Sequence, residues 1–296
     1  MTLGDHDDIR RLIELAKDED LGTGDLTSAL TIDSHEASAF RVVAKQTGVF
    51  AGREIAPAVV RAYDPSIEIT WTDAGRDGAR IESIPTELAT IRGPLAQVLA
   101  AERAVLNFLQ RLSGVATLTR TYVDAVAGTT ATICDTRKTT PGWRQLDKYA
   151  VRCGGGTNHR FGLYDAVLIK DNHLTGIEPS RMASAVFDML NRLDRSRVKP
   201  TFIEVEAQTL AQVEELCKVV GIDVILVDNS SLDQLRQAVA IRNANALEGT
   251  VQLEASGGIT LGTVRAVAET GVERISIGAL THSAPALDLS LERVEC

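Results

Sequence analysis

The sequence predicts an α/β protein in which a small α+β part precedes a larger part of alternating strands and helices. Two observations carry this prediction. Strand-like segments are concentrated in residues 37–92, whereas six short apolar segments alternate with helical ones from Gly114 onward. Alternating βα units favour a parallel sheet covered by helices, with the carboxyl ends of the strands at one mouth.

Composition limits the classes of function. The 296 residues are 44% apolar and 24% charged, as in an ordinary globular protein of one or two domains. No apolar run reaches the ~20 residues of a membrane helix, and the charged start MTLGDHDDIRRL lacks the apolar core of a secretion signal. A net charge of −9 argues against a general binder of nucleic acid or membrane surfaces. The four cysteines form no CxxC motif, so we expect reduced thiols and a cytoplasmic protein.

The first part begins with a helix, because apolar residues recur at helical spacing from Ile9 to Ala16 before the turn sequence at 19–25. Three strands and one further helix follow, and the strand segments are rich in β-branched or aromatic residues between Gly, Pro and Asp. The strands are predicted at 40–44, 67–71 and 88–92, and the helix at 53–62.

A long helix begins at Pro94, since proline fits the first helical turn, and is predicted to end at Ser113-Gly114. Arg103 lies in the middle of this helix among apolar neighbours. Taken alone, it is interpreted as a surface arginine whose stem covers the core.

The second part contains six apolar strand segments with five helical segments between them. The strands are predicted at 130–136, 166–170, 202–206, 224–228, 251–256 and 275–278, and the helices at 144–151, 180–193, 210–219, 232–241 and 261–269. About 165 residues are available here, which is short of the roughly 250 of an eight-fold barrel. An incomplete barrel of six or seven strands is therefore predicted. The alternative is an open doubly wound sheet, but no Gly-rich fingerprint follows the first strand at Thr136.

The segment from Thr136 to His173 is strongly basic. Between Arg137 and Lys170 it holds seven Lys or Arg against two acids, a local charge of +5 in an acidic chain. Such a segment concentrates positive field for a small anionic ligand. The alternative is a solvated basic helix, but the charges are interleaved with the loop sequences TTPG and GGG, which are typical of sites.

Every predicted strand of the second part ends in charged residues or glycines. In order along the chain these are Arg137-Lys138, Lys170, Glu206, Asp228, Ser256-Gly257-Gly258 and Gly278-Ala279. Cations suit carboxylates and phosphates, and two carboxylates suit Mg²⁺, ribose hydroxyls or a developing positive charge. Backbone N–H groups at glycines suit phosphate. The pattern predicts a site for a phosphorylated sugar and an acidic partner molecule.

Over nearly its whole length the chain resembles the quinolinate phosphoribosyltransferases, also called nicotinate-nucleotide pyrophosphorylases (carboxylating). The TRKTTPG and GGGTNHR elements at this spacing are the most specific part of the resemblance. Further matching segments are 19–28, 102–114, LIKDNH, 204–206, 227–229, 254–259 and 276–282.

The resemblance implies an architecture. An N-terminal α/β sandwich domain would span 1–113, with 281–296 returning to it, and an incomplete α/β barrel like that of type II phosphoribosyltransferases would span 114–280. It also implies homodimers in which Arg103 reaches into the partner's site, with assembly beyond the dimer left open. The expected partners are small-molecule substrates and not nucleic acid or membrane.

The resemblance also implies the site residues. The quinolinate ligands would be Arg103, Thr136, Arg137, Lys138, His159, Arg160 and Lys170. The phosphoribosyl pyrophosphate ligands would be Lys138, Lys170, Glu206, Asp228, Ser256, Gly257, Gly258, Gly278 and Ala279. Mg²⁺ would be held directly or indirectly by Glu206 and Asp228, with no organic cofactor. Glu204 shares a strand face with Glu206, so which of these acids dominates at the ribose is left open.

The implied reaction transfers the phosphoribosyl group to quinolinate with decarboxylation, giving nicotinate mononucleotide, pyrophosphate and CO2. Lys138, Glu206 and Asp228 are the expected catalytic residues. Two alternatives remain at this stage: a paralogue acting on another anionic acceptor, as in molybdenum-transport-associated relatives, and a non-catalytic binding protein. The histidines show no zinc-ligand spacing, and the nearby cations argue against a Schiff-base role for Lys170.

Overall fold

The computed structural model describes residues 3–33, 36–195 and 199–294. The chain forms two compact units, and each unit is made of more than one stretch of the chain. The first unit comprises the chain up to Arg120, residues 139–155 and the segment from Ala279 onward, and the second comprises 121–138 and 156–278. The domain bounds predicted from the sequence stay predictions. Cys134, Cys153 and Cys217 are free thiols, and Cys296 lies outside the described residues.

The first unit is built on a four-stranded antiparallel sheet. Its strands, in spatial order, are β12 (Leu289–Arg293), β1 (Ala37–Ala44), β5 (Thr86–Pro94) and β3 (Glu68–Trp71). A small ribbon pairs β2 (Gly48–Val49) with β4 (Arg80–Ile81). The three strands predicted in this part are confirmed, whereas β12 was not predicted as a strand.

Among the described residues, six helices lie wholly or mostly in the first unit. They are α1 (Asp7–Leu21), α2 (Leu26–Thr31), α3 (Ala56–Tyr63), α4 (Leu95–Ala125), α5 (Arg144–Cys153) and α10 (Ala279–His282). The end of α4 after Arg120 belongs to the second unit. The sequence analysis did not predict α2. It begins at a strong cap, because the Asp25 carboxylate accepts the backbone N–H groups of Thr27 and Ser28 at 2.9 and 3.0 Å.

The predicted end of the long helix at Ser113-Gly114 is wrong, because α4 continues to Ala125. Both residues serve close packing instead of ending the helix. A Cβ at Gly114 would lie 1.9 Å from the carbonyl oxygen of Pro285, so only glycine fits there. The Ser113 hydroxyl lies 3.1 Å from the Ala51 nitrogen and 3.2 Å from its oxygen, which satisfies a fully buried side chain.

The second unit contains a six-stranded parallel sheet, and all six predicted strands are confirmed. The strands are β6 (Thr132–Cys134), β7 (Val167–Ile169), β8 (Ile203–Ala207), β9 (Val224–Asp228), β10 (Gln252–Ser256) and β11 (Arg274–Ser276). The helices between them are α6 (Met182–Arg195), α7 (Leu210–Leu216), α8 (Leu232–Ala244) and α9 (Val264–Ala268). Short 3-10 turns occupy Asp171–His173 and Pro179–Arg181.

The strand order is that of a barrel with one missing contact. The spatial order is β6-β11-β10-β9-β8-β7, so from β7 to β11 each strand pairs with the next one in the chain, and β11, the last, pairs with β6, the first. Among the described residues, β6 and β7 form no ladder with each other. A single parallel bridge between Cys134 and Thr157 occupies the free edge of β6. The incomplete barrel of six or seven strands predicted from the sequence is confirmed, and six strands form it in the described part of the chain.

Because all strand pairings in this sheet are parallel, the carboxyl ends of the strands lie at one mouth. Capping boxes begin two of the helices soon after their strands. Thr209 and Gln212 cap α7 after β8, and Ser231 and Gln234 cap α8 after β9. None of the helices in the described part of the chain combines the length and apolar character needed to cross a bilayer.

A buried arginine ties α8 to the sheet of the second unit. Arg242 is 2% exposed, and its guanidinium contacts Glu273 at 2.8 Å and the carbonyl oxygen of Val251 at 2.7 Å. On the same helix, Arg236 forms an exposed pair with Asp233. The two arginines therefore lie on the same helix and differ in how deeply they are buried.

We expect Arg242→Ala to lower the free energy of unfolding by about 3 kcal/mol, because it leaves Glu273 and a buried carbonyl without their partner. Arg236→Ala is the matched control, and its exposed pair should contribute less than about 1 kcal/mol. Urea unfolding followed by circular dichroism measures both. Equal losses in the two variants would contradict the structural role of Arg242.

Candidate active site

A cavity of about 530 Å³ lies in the second unit at the carboxyl ends of the parallel strands. The structure brings most of the predicted site residues together in its wall. They are Thr136, Arg137, Lys138, His159, Arg160, Lys170, Glu206, Asp228, Ser256, Gly257 and Gly258. Which substrate each of them binds stays a prediction.

Three predicted site residues lie elsewhere. Arg103 lies on α4 in the first unit, where its side chain is 71% exposed and 3.8 Å from Glu102. Gly278 follows β11 and is not among the described residues that line the cavity. Ala279 begins α10 and belongs to the first unit.

Seven residues of the cavity wall were not predicted. They are Leu168, Asp171, Asn172, Leu226, Asn229, Glu254 and Ser276. Three of them had a signal in the sequence, because Asp171 and Asn172 directly follow Lys170 and Asn229 directly follows Asp228. Extending the strand-end rule by one or two residues would have found them.

One wall of the cavity is cationic. Arg160 is 7% exposed, and burial together with the nearby positive charge of Arg137 lowers its pKa. The buried Nε of Arg137 has no hydrogen-bond partner in the described part of the chain. Two guanidinium groups that repel each other, one with an unsatisfied donor, are a site prepared for an anionic ligand.

A buried carboxylate organises the backbone of this wall. Asp135 is fully buried and accepts the backbone N–H of His159 at 2.9 Å and the side-chain amide of Asn158 at 2.5 Å. Asp135 also directly precedes Thr136 and Arg137 in the chain. It therefore links the two segments that supply the cations.

Another part of the cavity wall is acidic. Burial raises the pKa of Glu206, which is 8% exposed, and the neighbouring carboxylates of Asp171 and Asp228 raise it further, while Lys170 opposes them. Carboxylate oxygens are the ligands that Mg²⁺ prefers. The donor set of Glu206 and Asp228 therefore fits a divalent cation, which would relieve their mutual repulsion.

A glycine loop completes the cavity at the end of β10. Gly257 and Gly258 have φ angles of +93° and +62°, in the left-handed region that favours glycine. A Cβ at Gly258 would meet nothing within 4 Å, so a ligand can approach the backbone closely. Helix α9 begins only at Val264, so the loop and not the helix start lines the cavity.

A buried group of charges lies deeper among the strands. The Nε2 atom of His159 is 2.9 Å from Glu204 and 3.4 Å from Glu254, and Arg274 contacts Glu254 at 2.7 Å. The side chains of His159, Glu204 and Glu254 could hold a metal ion. The spacing of histidines in the sequence could not reveal this group. The three side chains come from separate segments of the chain, namely β8, β10 and the loop after α5.

The two glutamates on β8, Glu204 and Glu206, have different surroundings. Burial alone would lower the pKa of His159, but its contacts with Glu204 and Glu254 outweigh burial and raise the pKa to about 9. Glu204, which is fully buried, is therefore engaged by His159. Glu206, two residues later, lines the cavity.

The chain matches known proteins along its length. Models of the quinolinate phosphoribosyl transferase family match residues 25–113 (N-terminal domain) and 115–292 (C-terminal domain). A probable nicotinate-nucleotide pyrophosphorylase [carboxylating] of Bacillus subtilis is 40% identical over 97% of this chain and 94% of its own. A protein of the same name from Synechocystis is 41% identical over 93% of this chain and 89% of its own.

Two solved structures are also similar to this chain over nearly its whole length. The crystal structure of NadC from Streptococcus pyogenes superposes with a TM-score of 0.87 at 34% identity, covering 97% of both chains. The nicotinate-nucleotide pyrophosphorylase from Francisella tularensis superposes with a TM-score of 0.86 at 35% identity, covering 97% of this chain and 96% of its own. Sequence, fold and cavity lead to one conclusion: the chain belongs to the quinolinate phosphoribosyltransferase family.

Proposed function

We propose that this enzyme transfers the phosphoribosyl group of phosphoribosyl pyrophosphate to quinolinate with loss of CO2, yielding nicotinate mononucleotide and pyrophosphate for de novo NAD synthesis. The observation that carries the proposal is the cavity with a cationic wall, an acidic wall and a glycine loop. The paralogue that acts on another acceptor is not favoured, because relatives at about 40% identity carry the carboxylating name.

The cationic wall binds the two carboxylates of quinolinate. Arg137 and Arg160 repel each other, so a dianionic ligand between them relieves a cost that is present in the free protein. The planar fork of each guanidinium can grip a carboxylate with two parallel bonds. The same cavity is also lined by Thr136, Lys138, His159 and Lys170.

The acidic wall and the glycine loop bind phosphoribosyl pyrophosphate. Glu206 and Asp228 would hold Mg²⁺, which makes pyrophosphate a better leaving group. As the bond from ribose C1 to the pyrophosphate oxygen breaks, C1 gains positive charge that the two carboxylates stabilise. The backbone of Ser256, Gly257 and Gly258 binds phosphate oxygens. Gly278 and Ala279 are proposed to extend this phosphate site.

Bond formation and decarboxylation follow. The pyridine nitrogen attacks C1, and the ring becomes cationic. The bond between ring C2 and its carboxylate then breaks, with the electron pair retained on C2 and CO2 released. Lys138 lines the cavity and is our candidate for stabilising or protonating C2. Positioning of the two substrates supplies most of the rate.

We further propose a homodimer in which Arg103 completes the partner's cavity, and a cytoplasmic location. The exposed guanidinium of Arg103, contacting only Glu102 among the described residues, suits a role toward another chain. Free thiols at Cys134, Cys153 and Cys217 suit a reducing compartment.

Arg137→Ala should weaken quinolinate binding about 100-fold, because it removes a charged double hydrogen bond. Binding of phosphoribosyl pyrophosphate should weaken far less. Calorimetric titration with each substrate measures both effects, and Arg181→Ala, an exposed arginine outside the cavity, is the control. Equal loss of both affinities would refute the role given to Arg137.

Glu206→Gln and Asp228→Asn should each lower kcat about 100-fold or more, because they remove charge facing the developing cation. Both should also raise the Mg²⁺ concentration needed for half-maximal rate, while the affinity for quinolinate is retained. Product formation across a Mg²⁺ titration tests this. Asp233→Asn, an exposed acid on α8, is the control. An unchanged Mg²⁺ dependence in both site variants would count against the acidic wall as the metal site.

Arg103→Ala and Arg137→Ala should each be inactive alone yet restore activity when their subunits are mixed. A mixed dimer has one cavity with both arginines and one with neither, so random exchange returns about one quarter of the wild-type rate. Differently tagged subunits verify that mixed dimers form. No recovery in verified mixed dimers would show that Arg103 acts within its own chain or not at all.

A further inference from the structure

Asn229 holds a backbone conformation that side chains rarely adopt. It directly follows Asp228 at the end of β9, lines the cavity and has a φ angle of +47°. Among residues other than glycine, asparagine tolerates this region best, and such conformations concentrate at functional sites.

Three contacts explain why the chain turns here. The side-chain amide nitrogen of Asn229 donates to Oδ2 of Asp228 at 2.7 Å. Its backbone N–H donates to the carbonyl oxygen of Ser256 at 2.9 Å. Its Oδ1 atom lies against Gly257, where an added Cβ would be only 2.1 Å away. One residue therefore contacts both the carboxylate at the end of β9 and the glycine loop at the end of β10.

We propose that Asn229 is a positioning residue that fixes the carboxylate of Asp228 and the loop of Ser256 to Gly258 as one rigid unit for phosphoribosyl pyrophosphate. The inference rests on the proposed function. The amide holds Asp228 in one rotamer by engaging Oδ2, which directs Oδ1 to the ligand. The backbone bond and the packed Gly257 hold the phosphate-binding backbone at a constant distance from that carboxylate.

The chemistry of the amide suits this place. Asp171, Glu206 and Asp228 already crowd negative charge at this wall. A carboxylate at position 229 would repel Asp228, and a cation would neutralise the charge that the ribose requires. A neutral donor that tolerates a positive φ fulfils both conditions, and asparagine provides it.

Substitution of Asn229 should weaken the binding of phosphoribosyl pyrophosphate and leave the binding of quinolinate nearly unchanged. Asn229→Gly keeps the backbone conformation and removes only the amide, so we expect about a tenfold rise in KM for phosphoribosyl pyrophosphate and a lower kcat. The Kd for quinolinate should change less than about twofold, since the cationic wall is untouched. Asn229→Asp should be worse than Asn229→Gly, because it places like charges side by side.

A double-mutant cycle tests the link to the glycine loop. Gly257→Ala should impair phosphoribosyl pyrophosphate binding in the wild type, and it should cost less in the Asn229→Gly background, where Oδ1 no longer blocks the Cβ. Asn245→Gly, an exposed asparagine that ends α8, is the control and should leave all parameters unchanged. Thermal melting verifies that the variants are folded.

The outcomes are distinct. Loss confined to phosphoribosyl pyrophosphate, with coupling between positions 229 and 257, supports the proposal. Equal loss for both substrates, additive effects or unchanged constants overturn it. If the wild type yields no nicotinate mononucleotide, the proposed reaction fails, and calorimetric titration of the same variants with phosphoribosyl pyrophosphate alone still decides the role of Asn229.

Discussion

The site depends on one topological constraint: six parallel strands end at the same mouth, in an order fixed by the barrel. The cationic ends belong to β6 and β7, the two strands that flank the missing contact. Thr157 fills part of this gap by bridging to the free edge of β6, which brings the following residues His159 and Arg160 to the mouth. The acidic ends belong to β8 and β9, and β8 pairs directly with β7. The succession of cationic, acidic and glycine-rich strand ends around the mouth is therefore a consequence of strand order.

The same strands carry a second layer of charge, and the two layers differ in what neutralises them. Side chains two residues apart on a strand share a face. Glu204 and Glu254 are fully buried and are balanced within the protein by His159 and Arg274. Two residues later, Glu206 and Ser256 line the cavity. Internal ion pairs thus offset much of the charge of the deeper layer, although burial and the neighbouring Glu254 still raise the pKa of Glu204. His159 and Glu254 belong to this layer and also line the cavity, so they connect the two layers.

Sequence patterns predicted the part of this structure that is encoded locally. Apolar runs between turn residues identified all six parallel strands, and the rule that strand ends face one mouth identified eight of the 18 described residues that line the cavity. The sequence-based predictions failed where contacts between distant segments of the chain decide the structure. Ser113-Gly114 resembles a helix end in sequence, but Gly114 is small because Pro285 approaches it. The contact between His159, Glu204 and Glu254 joins three distant segments, which spacing cannot reveal. Arg103, assigned by resemblance alone, lies outside the unit that holds the cavity.

The cavity is organised by backbone and buried partners more than by contacts among its own charged groups. Asp135 is hydrogen-bonded to the cationic segment at His159, and Asn229 is hydrogen-bonded to Asp228 and to the carbonyl oxygen of Ser256. The charges that line the cavity remain unrelieved: Arg137 repels Arg160, and Asp171 and Asp228 oppose the charge of Glu206. Under the proposed function, anionic substrates would relieve the first repulsion and a divalent cation the second. Charges that the fold holds in place before the substrates bind stabilise a transition state better than water does, because they need no reorganisation during the reaction.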